Sequence, residues 1–411
     1  MEGYLPKYNG IYTGRDGKLA DDEVCRLLCD LVSTESTFGH EEALGHLIEK
    51  TVQKEGIVTE IMPCTENRFN VILTLGASSY REKKLGLLLH GHYDTVPALD
   101  MENPYEPDVK NNKVRGRGAV DQKSGLAAAI AALIAVKRSG IKLSKPVSVS
   151  CVIDEESEHR GSFALSKSGM TADYAIVTEP TDMKTCDFGC LGTTPVRIRV
   201  KGKTAHASNP WKGINAIEKS LPVLERLKDM KFKELDMGVL GVRSGTLCVS
   251  KMEAGTAYNN VPGEAVIWLD RRTVPGENSA LALQQIKDVI ADAKKEEPDL
   301  SAEAEIARPD WGWVPIIQRG LNPTLTDRNC PLYDVIRKAA EKTGAEIPGK
   351  GFFWGYNDMD FLVNDMKIPT LVFGPGDGAM AHGPSEEVNI DQVCRCADIF
   401  ALTIEEVCGS A

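Results

Sequence analysis

LGLLLHGHYDTVP, residues 85–97, is the stretch that decides the fold of this chain. Its first half is a continuous apolar run, which is typical of a strand buried on both faces. Its second half presents His90, His92 and Asp94 in close succession. Because ligands bind beyond the carboxyl ends of the strands in open α/β sheets, the stretch predicts a core strand that ends at a metal or reaction site. For His90 alone, a satisfied histidine within the strand is the simpler interpretation.

Length and charge restrict the class of protein. A chain of 411 residues is too long for one ordinary core, so two domains are expected. The formal net charge of -11 argues against a nucleic-acid partner, because such proteins need a basic surface. The longest apolar stretch, residues 126–136, is too short to span a bilayer, so no membrane partner is expected.

The cysteines and the first residues bear on cellular location. The eleven cysteines are odd in number, scattered in spacing and without the CxxC pairs of a structural zinc site. Residues 1–17 lack the basic region and apolar core of a secretory signal. These patterns predict reduced thiols in a cytoplasmic protein.

Four further segments carry histidine or acidic side chains, and three of them follow strand-like runs. They contain Asp121 in GRGAVDQKSG, the acidic run 154–156 in VSVSCVIDEESEH, Glu179 in ADYAIVTEPTD, and His382 with Glu386 in IPTLVFGPGDGAMAHGPSEE. Each segment alone could be a helix cap or a solvated loop. Two histidines and several carboxylates at one sheet edge, however, favour a metal site. The glycines at 116, 118 and 125 indicate that backbone comes close to another group near Asp121.

The middle of the chain changes character. In TTPVRIRVKGKTAHAS, Val196, Ile198 and Val200 alternate with polar residues, the pattern of a sheet with one wet face. Helix and strand patterns continue to about residue 310 and predict a compact α+β unit. We expect this unit, residues 192–312, to be inserted into an α/β catalytic domain formed by residues 1–191 and 313–411.

Eight motifs occur in a fixed order along the chain. They are GHYDTVP, GRGAVDQKSG, IDEES, TEPTD, KGKTAHAS, NNVP, DRRTVPG and AHGPSEE. In order and spacing they resemble the zinc-dependent acetylornithine deacetylase, succinyl-diaminopimelate desuccinylase and carboxypeptidase G family, over nearly the whole chain. The resemblance implies a catalytic α/β/α sandwich with an inserted ferredoxin-like lid and dimerisation domain, and therefore a homodimer formed through the lid.

The resemblance also implies the site residues. Two Zn²⁺ ions, with Co²⁺ or Mn²⁺ as substitutes, would be held by five ligands, of which Asp121 bridges the two ions: His92, Asp121, Glu156, Glu179 and His382. Glu155 would be the general base, and Asp94 would hydrogen-bond His92 and set its tautomer. His206 would reach from the lid of a partner subunit to stabilise the oxyanion. Asn260 and Arg272 would hold a substrate carboxylate.

Three positions depart from the family pattern or lie beside it. Arg271 should face away from Arg272 in the strand and carry surface charge. GYND, residues 355–358, stands where relatives have a glycine-rich loop ending in Asp, which changes the expected pocket shape. His159 and Arg160 follow the glutamate pair in place of small residues. They face either the site or solvent, and solvent is the favoured interpretation.

The expected reaction is metal-dependent hydrolysis of an amide bond in an N-acyl amino acid or a related small amide with a carboxylate. The alternative is a dipeptidase or carboxypeptidase, which would use the same metals and the same Glu155. A non-catalytic binding protein of this fold should have lost a ligand or Glu155, and none is lost. A cysteine hydrolase would need a cysteine in the histidine motifs, which contain none.

Overall fold

The computed structural model describes residues 8, 10–13, 19–232, 234–308 and 312–410. The α-helices in these ranges are α1 (Asp21–Val32), α2 (Glu42–Gln53), α3 (Lys123–Ser139), α4 (Arg160–Ser166), α5 (Ala216–Asp229), α6 (Ser279–Glu296), α7 (Val314–Arg319), α8 (Leu332–Lys342) and α9 (Ile390–Cys408). Shorter helical turns lie at Pro210–Lys212, Gly238–Leu240, Phe361–Asp365 and Gly378–Met380. None of the described helices is both long and apolar enough to cross a membrane.

The strands of the described residues fall into four sheets. They are β1 (Val58–Thr65), β2 (Arg68–Leu75), β3 (Leu85–His92), β4 (Asp108–Lys110), β5 (Lys113–Arg115), β6 (Val147–Val152), β7 (Ala172–Val177), β8 (Thr185–Cys190), β9 (Gly192–Lys201), β10 (Glu234–Asp236), β11 (Val242–Ser244), β12 (Thr246–Ala254), β13 (Glu264–Thr273), β14 (Ser301–Ile306), β15 (Thr324–Leu325), β16 (Gly349–Phe353), β17 (Thr370–Val372) and β18 (Glu387–Asn389).

The largest sheet has the order β1-β2-β6-β3-β7-β17-β8-β15, with β16 paired to β8. Strand β3 pairs in parallel with β6 and β7, and β7 pairs in parallel with β17. Every residue of β3 and of β6 is buried, as the continuous apolar runs predicted. The parallel strands therefore direct their carboxyl ends to one edge of the sheet.

Helices cover this sheet through close backbone contacts. Helices α3 and α9 pack on each other and on β3, while α1 packs on α3 and α8 on α9. A Cβ atom on Gly125, in the first turn of α3, would lie 2.0 Å from the carbonyl oxygen of Thr178, just beyond β7. A Cβ atom on Gly116 would lie 2.4 Å from Cγ1 of Val32. The prediction that these glycines permit close backbone approach is confirmed.

The middle of the chain forms a second sheet of order β12-β13-β9-β14. With α5 after β9 and α6 after β13, it has the βαββαβ order of a ferredoxin-like unit. Residues of β9 alternate between buried and half-buried, and Val196, Ile198 and Val200 lie in the core of this unit. The predicted wet-faced sheet is therefore present.

The chain divides into two compact units. The first combines the described parts of Met1–Gly189, Leu325–Phe353 and Asn357–Ala411, and the second combines Cys190–Thr324 with Trp354–Tyr356. The division expected from the sequence, at residues 192 and 312, stays a prediction. The second unit of the structure continues beyond that limit because β15 begins at residue 324.

Candidate metal centre

The carboxyl edge of the parallel strands collects most of the polar side chains named above. His92 is the last residue of β3, Asp154 to Glu156 follow β6, and Glu179 follows β7. His382 lies in the loop between β17 and β18. Asp121 reaches the same edge from the turn between β5 and α3. Strand β5 pairs with β18, which fixes the start of that turn. Strand order thus assembles residues that are up to 290 positions apart (92 to 382).

The five side chains predicted as ligands form two clusters that share Asp121. One contains His92, Asp121 and Glu179, and the other contains Asp121, Glu156 and His382, with candidate ligand atoms within 4.8 Å of one another in each. Oδ1 of Asp121 lies 3.1 Å from Nε2 of His92, and Oδ2 lies 3.3 Å from Nε2 of His382. Each carboxylate oxygen of Asp121 therefore faces a different histidine.

Burial and charge give this cluster unusual proton affinities. Burial, followed by the negative charge of Asp121, raises the pKa of both Glu156 and Glu179. Burial also opposes ionisation of Asp121, but hydrogen bonds with His382 and His92 outweigh it and hold the pKa of Asp121 below its usual range. Hydrogen bonds to Asp121 and Glu156 raise the pKa of His382 to about 10. The carboxylates thus favour positive charge among them.

The donor set fits divalent cations. The two clusters together offer two imidazoles and three carboxylates, whose ligand atoms lie within 4.8 Å of one another in each cluster. Zinc and similar ions bind such mixed nitrogen and oxygen ligands. Two divalent ions would offset the three carboxylate charges in a buried setting. These residues could therefore hold a pair of ions, with Asp121 placed to contact both.

Asp94 contacts both His92 and the acidic loop. Nδ1 of His92 lies 2.9 Å from the backbone carbonyl oxygen of Asp94 and 3.4 Å from its Oδ1. The two carboxylate oxygens of Asp94 accept hydrogen bonds from the backbone N–H groups of Glu155 and Glu156, each at 3.1 Å. Asp94 therefore orients the His92 ring chiefly through its carbonyl group, while its carboxylate fixes the loop after β6.

Glu155 lies at the centre of the acidic loop. Its carboxylate clusters with His92 and Glu156, again within 4.8 Å. Burial raises the pKa of Glu155 well above its usual value, and His92 opposes that rise. A carboxyl group with raised pKa can take up a proton and return it near neutral pH.

A buried ion pair that the sequence analysis did not predict connects two of the loops. Oε1 of Glu386 accepts hydrogen bonds from the backbone N–H groups of Val120, at 2.8 Å, and Asp121, at 3.0 Å. Oε2 of Glu386 contacts Nη1 of Arg117 at 2.6 Å, and Arg117 also donates to the carbonyl of His382. The only sequence signal is the position of Glu386, four residues after His382. The pair holds the Asp121 and His382 loops together.

The remaining predicted site residues, His206, Asn260 and Arg272, lie in the second unit. His206 is exposed, forms a backbone bridge with Asn260, and has Nδ1 2.8 Å from Oγ of Ser208. Nε and Nη2 of Arg272 each lie 2.9 Å from an oxygen of Asp270. The guanidinium of Arg272 thus already has a bidentate carboxylate partner within its own unit.

Two expectations about neighbouring residues are wrong. Arg271 is not surface charge: its side chain is fully buried, pairs with Glu277 and lies over the ring of Phe232 at 4.0 Å. His159 does not face solvent, since it is 3% exposed and its Nδ1 lies 3.1 Å from Oδ1 of Asp358. In both cases a side chain from another segment of the chain, Phe232 or Asp358, contacts the residue.

A sheet edge with two carboxylate and histidine clusters and a half-buried glutamate beside them defines a metallohydrolase type of site. The chain belongs to the peptidase family M20/M25/M40, whose family model matches residues 88–406. This confirms the family resemblance. The predicted fold of a catalytic α/β domain with an inserted ferredoxin-like unit is also confirmed.

Relatives of known name agree with this class. The chain is 28% identical to acetylornithine deacetylase of Proteus mirabilis, over 89% of this chain and 90% of the relative. It is 25% identical to a probable succinyl-diaminopimelate desuccinylase of Staphylococcus epidermidis, over 93% of this chain and 97% of the relative. Family and relatives together establish a hydrolase that acts on amide C–N bonds.

Solved structures share the fold. A tripeptidase from Staphylococcus aureus superposes with a TM-score of 0.77 at 21% identity, covering 95% of this chain and 99% of that one. An M20 family metallo-carboxypeptidase from Sulfolobus solfataricus gives a TM-score of 0.74 at 20% identity, covering 93% and 99% of the two chains. The whole described architecture is therefore that of this family.

Proposed function

We propose that the protein is a dinuclear zinc deacylase that hydrolyses the amide bond of an N-acyl amino acid or a related small amide with a free carboxylate. The observation that carries the proposal is the sharing of Asp121 by two ligand clusters, with Glu155 beside one of them. Relatives named as a deacetylase and a desuccinylase support a deacylase. The eleven free cysteines support a reducing compartment, and we include a cytoplasmic location in the proposal.

In the proposed mechanism, His92, Asp121, Glu156, Glu179 and His382 hold the ions. Divalent cations there would act as Lewis acids, which would lower the pKa of water to about 7 and polarise the scissile carbonyl. Glu155 accepts the proton of the attacking water and passes it to the leaving amine nitrogen. The backbone carbonyl of Asp94 accepts a hydrogen bond from Nδ1–H of His92, which would leave Nε2 of that ring for the ion.

The substrate carboxylate is assigned to Asn260 and Arg272. Arg272 presents a planar guanidinium that suits bidentate binding of a carboxylate. Because Asp270 occupies that position in the structure, a substrate carboxylate would replace Asp270 rather than bind an unpaired guanidinium.

The function is tested by a hydrolysis screen on metal-loaded enzyme. N-acetyl, N-succinyl and N-carbamoyl amino acids are compared with dipeptides, before and after removal of metal by a chelator. We expect hydrolysis of one N-acyl class, its loss on chelation and its return with added Zn²⁺. Preference for dipeptides would replace the deacylase proposal by the peptidase alternative, and unchanged hydrolysis by metal-free enzyme would refute the metal mechanism.

We further propose a homodimer in which His206 of one lid completes the site of the other subunit. His206→Ala is then expected to lower kcat by about 10²–10³-fold, the cost of one oxyanion donor, with metal content unchanged. His46→Ala is the control, because His46 is an exposed histidine of the first unit.

Mixing two inactive variants distinguishes action between subunits from action within one. A heterodimer of His206→Ala and Glu155→Gln subunits has one site with both residues intact if His206 acts across the interface. Random exchange should then restore about a quarter of wild-type activity, because half of the dimers are mixed and each has one complete site. No restoration despite proven subunit exchange would exclude the role of His206 across the interface.

A further inference from the structure

A second polar cluster lies beside the metal centre and involves none of the five predicted ligands. Asp358 is 2% exposed and its carboxylate is surrounded by three side chains. Oδ2 accepts a hydrogen bond from Oγ of Ser162 at 2.6 Å and lies 3.3 Å from Nε2 of His90. Oδ1 lies 3.1 Å from Nδ1 of His159. The cluster joins β3, the start of α4 and the segment after β16.

Glu155 connects this cluster to the metal centre. The carboxylate of Glu155 belongs to two clusters. One contains His92 and Glu156, the other contains His159 and Asp358, and in each cluster the candidate ligand atoms lie within 4.8 Å of one another. Glu155 is the only residue common to these two groups among the described part of the chain. Any displacement of His159 or Asp358 therefore alters the surroundings of the proposed general base.

The two partners of Glu155 are held rigidly. Nδ1 of His90 lies 2.8 Å from Oγ of Ser150, so the ring that contacts Asp358 is anchored to β6 as well. His159 has φ of 55°, a left-handed conformation that is uncommon for residues other than glycine. Its backbone N–H donates to the carbonyl of Asp154 at 2.6 Å. The loop that carries Glu155 thus closes on itself and directs the His159 ring inward.

We infer that His159 and Asp358 form a positioning pair for Glu155. Asp358 accepts a hydrogen bond from Nδ1–H of His159 and fixes the plane and tautomer of that ring. The ring in turn limits the positions open to the Glu155 carboxylate. The pair keeps that carboxylate directed at the ligand cluster, where the attacking water must give up its proton. The inference rests on the proposed function, in which Glu155 is the general base.

The test compares Asp358→Asn and His159→Asn with wild type. Asparagine keeps the shape of Asp358, and at position 159 it tolerates the left-handed backbone while removing the ring. We expect kcat to fall about 10–100-fold in each variant, the usual cost of losing an orienting partner, with KM and metal content unchanged. The double variant should lose no more than either single variant, because the two residues act as one unit.

A double-mutant cycle with Glu155→Gln separates positioning from general damage. Single-turnover rates with enzyme in excess should show no added loss from Asp358→Asn when Glu155 is already Gln. Asp398→Asn is the matched control, since Asp398 is another buried carboxylate, lies in α9 and accepts hydrogen bonds from Tyr8 and Thr13. It should leave kcat unchanged.

Three results would overturn the inference. They are wild-type kcat in both single variants, an equal loss from Asp358→Asn with and without Glu155, and a loss confined to KM or metal content. Failure of the proposed function looks different, because wild-type enzyme would then prefer dipeptides or show no chelator-sensitive amide hydrolysis. If Asp358→Asn does not fold, His159→Asn in the same cycle decides the question alone.

Discussion

Glu155→Gln is expected to lower kcat by about 10²–10⁴-fold, the usual contribution of a general base, while the metal content stays that of wild type. Glutamine has the size of glutamate but cannot accept the water proton. Glu155 lies within 4.8 Å of His92 and Glu156, so loss of its charge changes the reaction without removing a predicted ligand. The fall should appear in kcat more than in KM, because proton transfer occurs in the transition state.

The measurement pairs steady-state kinetics with the metal content of the same preparation. Glu82→Gln is the control for loss of a glutamate, since Glu82 lies in the first unit and its carboxylate contacts Ser78 and Lys83 at the surface. Near-wild-type turnover by a metal-replete Glu155→Gln enzyme would remove Glu155 from the mechanism. The positioning role proposed for His159 and Asp358 would then fall with it.

The edge of the parallel sheet could be predicted because local pattern and chain order were enough. A continuous apolar run identifies β3 and β6 as core strands, and parallel strands end at one edge, so polar residues after them must meet. The same logic brought Glu179 and His382 to this edge. Family resemblance added which of the neighbouring acids has which role, a distinction that periodicity does not contain.

The polar pairs behind the site could not be predicted in the same way. His90 and Asp358 are 268 positions apart, and nothing in the local sequence of either residue distinguishes a buried partner from a solvated one. Arg117 and Glu386, 269 positions apart, present the same difficulty. These contacts depend on which loops the sheet order brings together, and so they follow from tertiary structure alone.

The second unit shows the limit of alternation as a signal. Alternation correctly placed Arg271 on the face opposite Arg272, but it does not say whether that face is covered, and Glu277 and Phe232 cover it. Strand β14, SAEAEI, was not predicted, since alanine and glutamate are weak strand formers. Strand β14 forms because the edge of β9 offers a backbone partner to each residue of β14. Tertiary pairing overrides propensity there.

Asp121→Asn should abolish most activity and weaken both metal-binding events, which makes it the most damaging single substitution in the cluster. Each oxygen of Asp121 faces a different histidine, at 3.1 Å and 3.3 Å, and only Asp121 belongs to both ligand clusters. Asparagine keeps one oxygen, and its amide nitrogen is a donor that does not bind cations. A bridging carboxylate therefore cannot be replaced by an amide without loss at both positions.

This loss is measured by calorimetric titration of metal-free protein with Zn²⁺. Metal analysis after dialysis then gives the number of ions that stay bound. His382→Ala provides the comparison, because His382 belongs to the cluster with Glu156 and not to the one with Glu179. We expect His382→Ala to lose one tight binding event and Asp121→Asn to lose both, while Asp108→Asn, at an exposed surface ion pair, loses neither. If Asp121→Asn still bound two ions as tightly as wild type, Asp121 would not bridge them. The shared-ligand arrangement on which the proposed function rests would then have to be abandoned.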